Sequence, residues 1–180
     1  MIMANKVFIG TSLDGVIADR DGGLAFLETV PNPDNHDLGF TPFMGSVDAV
    51  LMGRKTFETV LGFDMPWHYS KPVFVLSSAM KEVPPNLKGK VEIVSGPLRD
   101  VVKELNMRSL TDLYIDGGKL IQSFLAEDMV DELIVTQVPI LLGGGTPLYG
   151  SLPEYLEFEL VTSEVLLHAL VQSHYRRQRR

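Results

Sequence analysis

Leu113-Tyr114-Ile115-Asp116-Gly117-Gly118-Lys119-Leu120-Ile121-Gln122-Ser123-Phe124-Leu125 changes its period halfway along. Three β-forming apolar residues come first and an Asp-Gly-Gly turn stops them. Leu120, Ile121, Phe124 and Leu125 then recur at helical spacing on one face. The stretch reads as a buried strand feeding an amphipathic helix. Working outward, Val91-Glu92-Ile93-Val94 is a strand followed by a helix opened by Pro97, with Val101, Val102 and Leu105 at helical spacing. Val73-Phe74-Val75-Leu76 is a strand closed by Ser77-Ser78. Ala49-Val50-Leu51-Met52 turns through Gly53-Arg54-Lys55-Thr56 into a helix ending near Gly62, and Val7-Phe8-Ile9 is stopped by Gly10 and Asp14-Gly15. The strand-then-helix rhythm repeats four times, and parallel strands with crossover helices are the economical solution.

Both flanks of this pattern differ from it. Residues 19–41 carry Asp21-Gly22-Gly23, Pro31, Asn32, Pro33, Asn35 and Gly39, with room for a short helix only over 24–30. A stretch this irregular inside a domain is the mark of a lid or binding loop. Thr41-Pro42 then reads as an N-cap and first helical residue of a helix running through Ser46. Downstream, residues 133–138 read as a strand and Gly143-Gly144-Gly145-Thr146-Pro147 as a loop. Residues 156–160 and 170–175 pair as an antiparallel hairpin across a turn near His168-Ala169. The fold class is therefore α/β with a mixed, mostly parallel sheet, and residues 1–180 are expected to form one domain.

Composition removes several alternatives. The 180 residues are 45% hydrophobic and 22% charged, within the ordinary globular range. With no cysteine, disulfides, thiolate nucleophiles, Cys-ligated zinc and iron–sulfur clusters are excluded. His36, His68, His168 and His174 are scattered without metal-ligand spacing. The net charge is −7, and four of the basic residues lie in Arg176-Arg177-Gln178-Arg179-Arg180, so the body is more acidic still and repels a nucleic-acid backbone. The Arg tail reads as a solvated terminus rather than a polyanion-binding arm. No apolar run reaches the length of a membrane span and the start has no signal pattern, so a cytoplasmic location is expected.

Two strand-to-helix junctions join glycine to a cation: Met52-Gly53-Arg54-Lys55-Thr56 and Asp116-Gly117-Gly118-Lys119. A helix start offers unpaired N–H groups and partial positive charge, and glycine lets an anion approach the backbone. Two such junctions after separate strands fit a pyrophosphate clamped between two helix starts. Each alone is equally a tight turn or a solvated pair, and neither G-x-G-x-x-G nor G-x-x-x-x-G-K-[ST] is present.

These residues, with Thr11-Ser12-Leu13-Asp14-Gly15-Val16-Ile17-Ala18, Val75-Leu76-Ser77-Ser78 and Pro139-Ile140-Leu141-Leu142-Gly143-Gly144-Gly145-Thr146-Pro147-Leu148, resemble the dihydrofolate-reductase-like superfamily. Within it they look most like the C-terminal reductase domain of riboflavin-biosynthesis (RibD) deaminase-reductases and its stand-alone relatives. The resemblance implies a three-layer α/β/α domain binding NADPH across the carboxyl ends of the strands. It places Gly53, Arg54, Lys55 and Thr56 on one side of the pyrophosphate and Gly117, Gly118 and Lys119 on the other. Ser77 and Ser78 fall near the adenosine 2′-phosphate, and the backbone around Thr11 and Ile17 near the nicotinamide. A small heterocyclic substrate and a homodimer, using the C-terminal strands, are also implied.

Hydride transfer from a nicotinamide needs an aligned acceptor, exclusion of water and a proton. A carboxylate whose pKa is raised by burial suits the proton task. Two candidates arise. Asp37 stands 15 residues before Met52, the ungapped spacing of the active-site carboxylate in dihydrofolate reductases, though it equally suits an exposed polar loop. Asp14, in the Ser-Leu-Asp-Gly turn, lies beside the implied nicotinamide site and equally suits an Asx-type turn. Trp67-His68-Tyr69 reads as a packing cluster before a stacking wall. The leading reading is an NADPH-dependent reductase of a pyrimidine or pteridine-like metabolite, resembling 5-amino-6-(5-phosphoribosylamino)uracil reductase. Dihydrofolate reduction and a non-catalytic nucleotide-binding module are the alternatives.

Overall fold

In the computed structural model, which describes residues 3–179, the strands are β1 (Ala4–Thr11), β2 (Val16–Ala18), β3 (Ala49–Gly53), β4 (Val73–Leu76), β5 (Val91–Val94), β6 (Asp112–Asp116), β7 (Glu132–Gln137), β8 (Thr146–Pro147), β9 (Phe158–Leu166) and β10 (Leu170–Arg177). The helices are α1 (Phe40–Gly45), α2 (Arg54–Leu61), α3 (Leu98–Met107) and α4 (Gly118–Ala126). Eight strands make one sheet in the order β5-β4-β3-β6-β1-β7-β10-β9, parallel except where β10 runs against β7 and β9. β2 and β8 form a separate antiparallel pair.

Alternation along the central strands decides which helix lies on which face. Val50, Met52, Val73, Val75 and Tyr114 point to one side, where Phe43 and Met44 of α1 and Phe57 of α2 complete a cluster. Ala49, Leu51, Phe74, Leu113 and Ile115 point to the other, against Val101 and Leu105 of α3 and Leu120, Ile121, Phe124 and Leu125 of α4. The four α4 positions read from spacing are all buried. Each fully buried Leu, Ile or Phe here stabilises the fold by about 1.5–3 kcal/mol relative to exposure. The result is the α/β/α layering that the resemblance implies.

Between β4 and β5, where the sequence shows no helix, the chain makes only a 3₁₀ turn, Pro85–Leu87. Three details depart from the reading. α1 begins at Phe40 rather than Pro42, with Gly39 at φ 85 in the N-cap position. The Asp37 carboxylate accepts the amides of Gly39 (3.0 Å) and Thr41 (2.9 Å), doing from upstream the work assigned to Thr41. Thr146-Pro147 is not free loop but β8, paired with β2 as Ala18↔Thr146 and Val16↔Pro147. The arginine tail is not simply solvated. β10 runs to Arg177, whose guanidinium binds Asp128 at 2.7 Å, and Arg179 reaches Asp128 and Asp131. Arg180 lies outside the described residues. No helix among the described residues is long and apolar enough to cross a membrane.

The turn of the β9–β10 hairpin has Leu167 (φ 49) and His168 (φ 58) both left-handed, the pattern that matches the twist of paired strands. Its apolar side, Leu166, Leu167 and Leu170, packs with Phe26 and Val138, so the hairpin end anchors the irregular 19–39 segment.

Candidate active site

β3 and β6 are neighbours with Met52 opposite Asp116, so α2 and α4 start side by side at the carboxyl edge of the sheet. The two starts touch: a Cβ at Gly117 would overlap the Oγ1 and Cβ of Thr56. Neither helix start is closed by a capping side chain. Their first amides have no acceptor within their own helices, and both starts border the same space. That space is a cavity of about 580 Å³ bordered by Gly53, Arg54, Lys55, Thr56, Gly117, Gly118 and Lys119. The seven residues assigned to the diphosphate are therefore brought together. Arg54 bonds Glu58 one turn along the helix at 2.9 Å.

Much of the remaining lining is apolar: Ile9, Gly10, Ile17, Leu24 and Leu27. Ile17 lines the cavity and packs against Gly118, whose added Cβ would lie 2.5 Å from the Ile17 Cδ1. Leu24 and Leu27 come from the 19–41 segment, where a 3₁₀ turn, Ala25–Glu28, seats Phe26 in the core and lays Leu27 over Gly10. The segment therefore forms one wall of the cavity, as its irregularity predicts.

Three other predicted residues do not line the cavity. Thr11 is buried and its carbonyl accepts the Val138 amide at 2.7 Å. Ser77 and Ser78 follow β4, one strand beyond Gly53, and the Ser77 hydroxyl accepts the amides of Ala79 (3.2 Å) and Met80 (3.0 Å). That hydroxyl is already engaged in a local turn.

The acids need correction. Asp14 accepts bonds from Ser12 Oγ (2.5 Å), Leu142 N (3.1 Å) and Gly143 N (2.8 Å), and these donors, Ser12 first, hold its carboxyl down at about 2. It ties its own turn to the glycine loop and stays ionised, the opposite of a proton donor. Asp37 is exposed outside the cavity, its pKa lowered by Thr41 first and then by the Gly39 amide. Its 15-residue spacing places it on the α1 cap.

Asp116 has the setting that those two lack. It ends β6, borders the cavity and is half-buried. Its Oδ2 accepts the Tyr69 hydroxyl at 2.6 Å. Tyr114, whose hydroxyl donates to the Phe8 carbonyl at 3.1 Å, borders the same carboxyl. His68 stacks on Tyr69 with ring centroids 4.3 Å apart. Burial raises the Asp116 pKa against the opposing pull of both tyrosine hydroxyls. Burial likewise raises Tyr69 and Tyr114 and lowers His68, so all four groups are pushed toward their neutral forms. Trp67 packs on Phe57 (6.0 Å) and Tyr69 (5.2 Å), the packing role read from the sequence. The signal for Asp116 was an acid placed directly between an apolar strand and Gly-Gly. The sequence reading used it only as a strand stop.

A family model of the RibD C-terminal domain matches residues 6–171. The chain is 54% identical to a Shewanella sp. PV-4 protein named for riboflavin biosynthesis, and matches its crystal structure with TM-score 0.96 over 98% of this chain and 100% of that one. It is 30% identical over 172 residues to YwjB of Bacillus subtilis (strain 168), an uncharacterized protein by name, spanning 94% of this chain and 95% of the relative. A Thermotoga maritima diaminohydroxyphosphoribosylaminopyrimidine deaminase/5-amino-6-(5-phosphoribosylamino)uracil reductase shares 17% identity, with TM-score 0.71 over 98% of this chain and 57% of that one, a likeness of fold alone.

Proposed function

From a chain that belongs to the RibD C-terminal domain family, we infer an NADPH-dependent reductase of a pyrimidine or pteridine-like metabolite. One observation carries this: two uncapped helix starts, each with glycine and a cation, meet at a single cavity. Two helix starts at one cavity offer backbone amides and partial positive charge to both phosphates of a dinucleotide diphosphate. The donor set fits such a group, because backbone amides, Arg54, Lys55 and Lys119 supply positive potential and Gly53 leaves open space.

A bound nicotinamide supplies a hydride equivalent, and the chain's own residues do the rest. Lys55 and Lys119 fix the diphosphate, while Ile9, Ile17, Leu24 and Leu27 wall the cavity with apolar surface and keep water from it. When hydride adds to the carbon of a C=N bond, the π pair moves to nitrogen, which then needs one proton. Asp116 is the carboxyl at the cavity whose pKa burial raises, which favours its proton-carrying form, and the Tyr69 hydroxyl holds its Oδ2 in place. The dihydrofolate alternative drew on Asp37, whose carboxylate is committed to the α1 cap.

Calorimetric titration with NADPH tests the reading. Saturable binding is expected, weakened about tenfold by Lys55→Ala and by Lys119→Ala singly, the loss typical of one charge-assisted hydrogen bond. Absence of NADPH binding to the unmodified protein would dismiss it.

A further inference from the structure

The sheet extends further than the helices that cover it. α4 packs over β3 and β6, and beyond them β7, β10 and β9 continue the same sheet. Register fixes which side chains share the α4 side of this extension. Tyr175 packs against the cluster of α3 and α4, so Ser173 and Val171, at alternate positions of a β10 that pairs with β7 without a break, lie on that side. Their partners on β9 lie there too: Leu160 opposite Tyr175, Ser163 opposite Ser173 and Val165 opposite Val171. Leu160 is 54% exposed, Val165 67% and Val171 39%. Beside them, Leu152 and Tyr149 are also exposed, at an apolar cavity of about 260 Å³ that Phe158 and Tyr175 line with them.

Charge is sorted between the two sides of this extension. Glu132 of β7 takes the side away from α4, as do His174 and Arg176 of β10 and Glu159 and Glu164 of β9. On the α4 side the one charged residue of β9 and β10 is Arg177, and Asp128 holds its guanidinium at 2.7 Å. In the middle of that side the Ser163 and Ser173 hydroxyls lie 3.1 Å apart.

We propose that this face docks a second copy of the chain, face to face about a two-fold axis. Each copy carries a net charge of −7, so two copies repel where their acids meet, and a face without unpaired charge is where that repulsion is weakest. A two-fold contact must also complement itself. Leu160, Val165 and Val171 do so by leaving water together, and a serine hydroxyl, both donor and acceptor, can bond its own counterpart. The three strands outline roughly 30 by 15 Å before side-chain relief and the 149–156 stretch are added, against ~800 Å² of accessible surface per partner in specific complexes.

Sedimentation velocity of the full chain tests this. At micromolar concentration the mass should be that of two chains, and it should persist as ionic strength rises, because no exposed ion pair holds the contact. The doubly substituted Leu160→Glu, Val165→Glu protein should keep its circular dichroism and weaken association at least about a hundredfold, since its added carboxylates are buried unpaired. Glu164→Lys, on the other side of the same strand, should leave the two-chain mass intact. Because the chain has no cysteine, a thiol introduced by Ser163→Cys gives an independent reading: its reaction with a maleimide should slow as protein concentration rises. A single-chain mass for the unmodified protein overturns the proposal, including one that instead pellets with phosphatidylcholine vesicles, which assigns the face to a lipid surface. Dissociation by salt, a two-chain mass that the paired glutamates leave intact, or a thiol equally reactive at every concentration also overturns it.

Discussion

The two helix starts at the cavity look alike in sequence, each glycine followed by a cation, yet their glycines do different work. Gly53 sits at φ −77 with nothing within 4 Å of an added Cβ, a conformation any residue adopts. Gly117 sits at φ 100 against Thr56, and Gly118 is pressed against Ile17. One junction keeps its glycine for empty space, the other for contact within the protein. The residues before them differ too: Met52 is wholly buried in the α1–α2 cluster, whereas its partner in register, Asp116, opens to the cavity. The β6 junction is thus under folding constraint and carries the acid, while the β3 junction leaves open space at its glycine.

The largest test of that contrast is Gly117→Ala. A left-handed backbone costs an L-residue about 1–2 kcal/mol and the Thr56 overlap a further ~1–3 kcal/mol, so urea unfolding should show a loss of about 3 kcal/mol together with lost NADPH binding. Adding Thr56→Ala should return the overlap part alone; full recovery would break the argument from φ. Asp116→Asn should lower kcat by about a hundredfold, the usual yield of a positioned acid. Because burial raises the Asp116 pKa, wild-type turnover should be flat at low pH and fall as pH rises through that raised value, and the Asn variant should lose this limb. The stability linkage has the same sign: the contribution from neutral Asp116 is full at acid pH and is lost as pH rises through the folded-state pKa. An unchanged pH profile in the variant would remove Asp116 from the reaction. Gly118→Ala should cost about 1 kcal/mol, since the obstacle is the flexible end of Ile17, and Ile17→Val should relieve it. Gly53→Ala should leave unfolding within about 0.5 kcal/mol of wild type while weakening NADPH binding. A large stability loss at Gly53 would erase the distinction between the junctions.

Legibility followed the range of the interactions. The strands from β3 to β6 and the helices α2, α3 and α4 were readable because periodicity and Gly or Pro stops are local signals. The cavity's two glycine junctions were readable for the same reason, and β3–β6 adjacency made them one site. The acids were misjudged because local sequence shows a carboxylate but not what claims it. Asp14 is taken by the Leu142 and Gly143 amides more than a hundred residues away, and Asp37 by the helix start just after it. Asp116 was visible as an Asp before Gly-Gly, but its partner Tyr69 lies 47 residues upstream in a segment that reads as loop. Ser77 was placed by resemblance near a phosphate, and its hydroxyl caps a turn instead.

By itself the sequence determined an alternating α/β chain with two glycine-led helix starts, because hydrophobic period and glycine punctuation act over a few residues. Only the tertiary structure decided which carboxylates are held ionised by distant donors, which one has its pKa raised beside the cavity, and which side chains line that cavity. Those properties are sums over neighbours brought together from distant parts of the chain, and solvation and hydrogen bonding follow spatial surroundings and not sequence order.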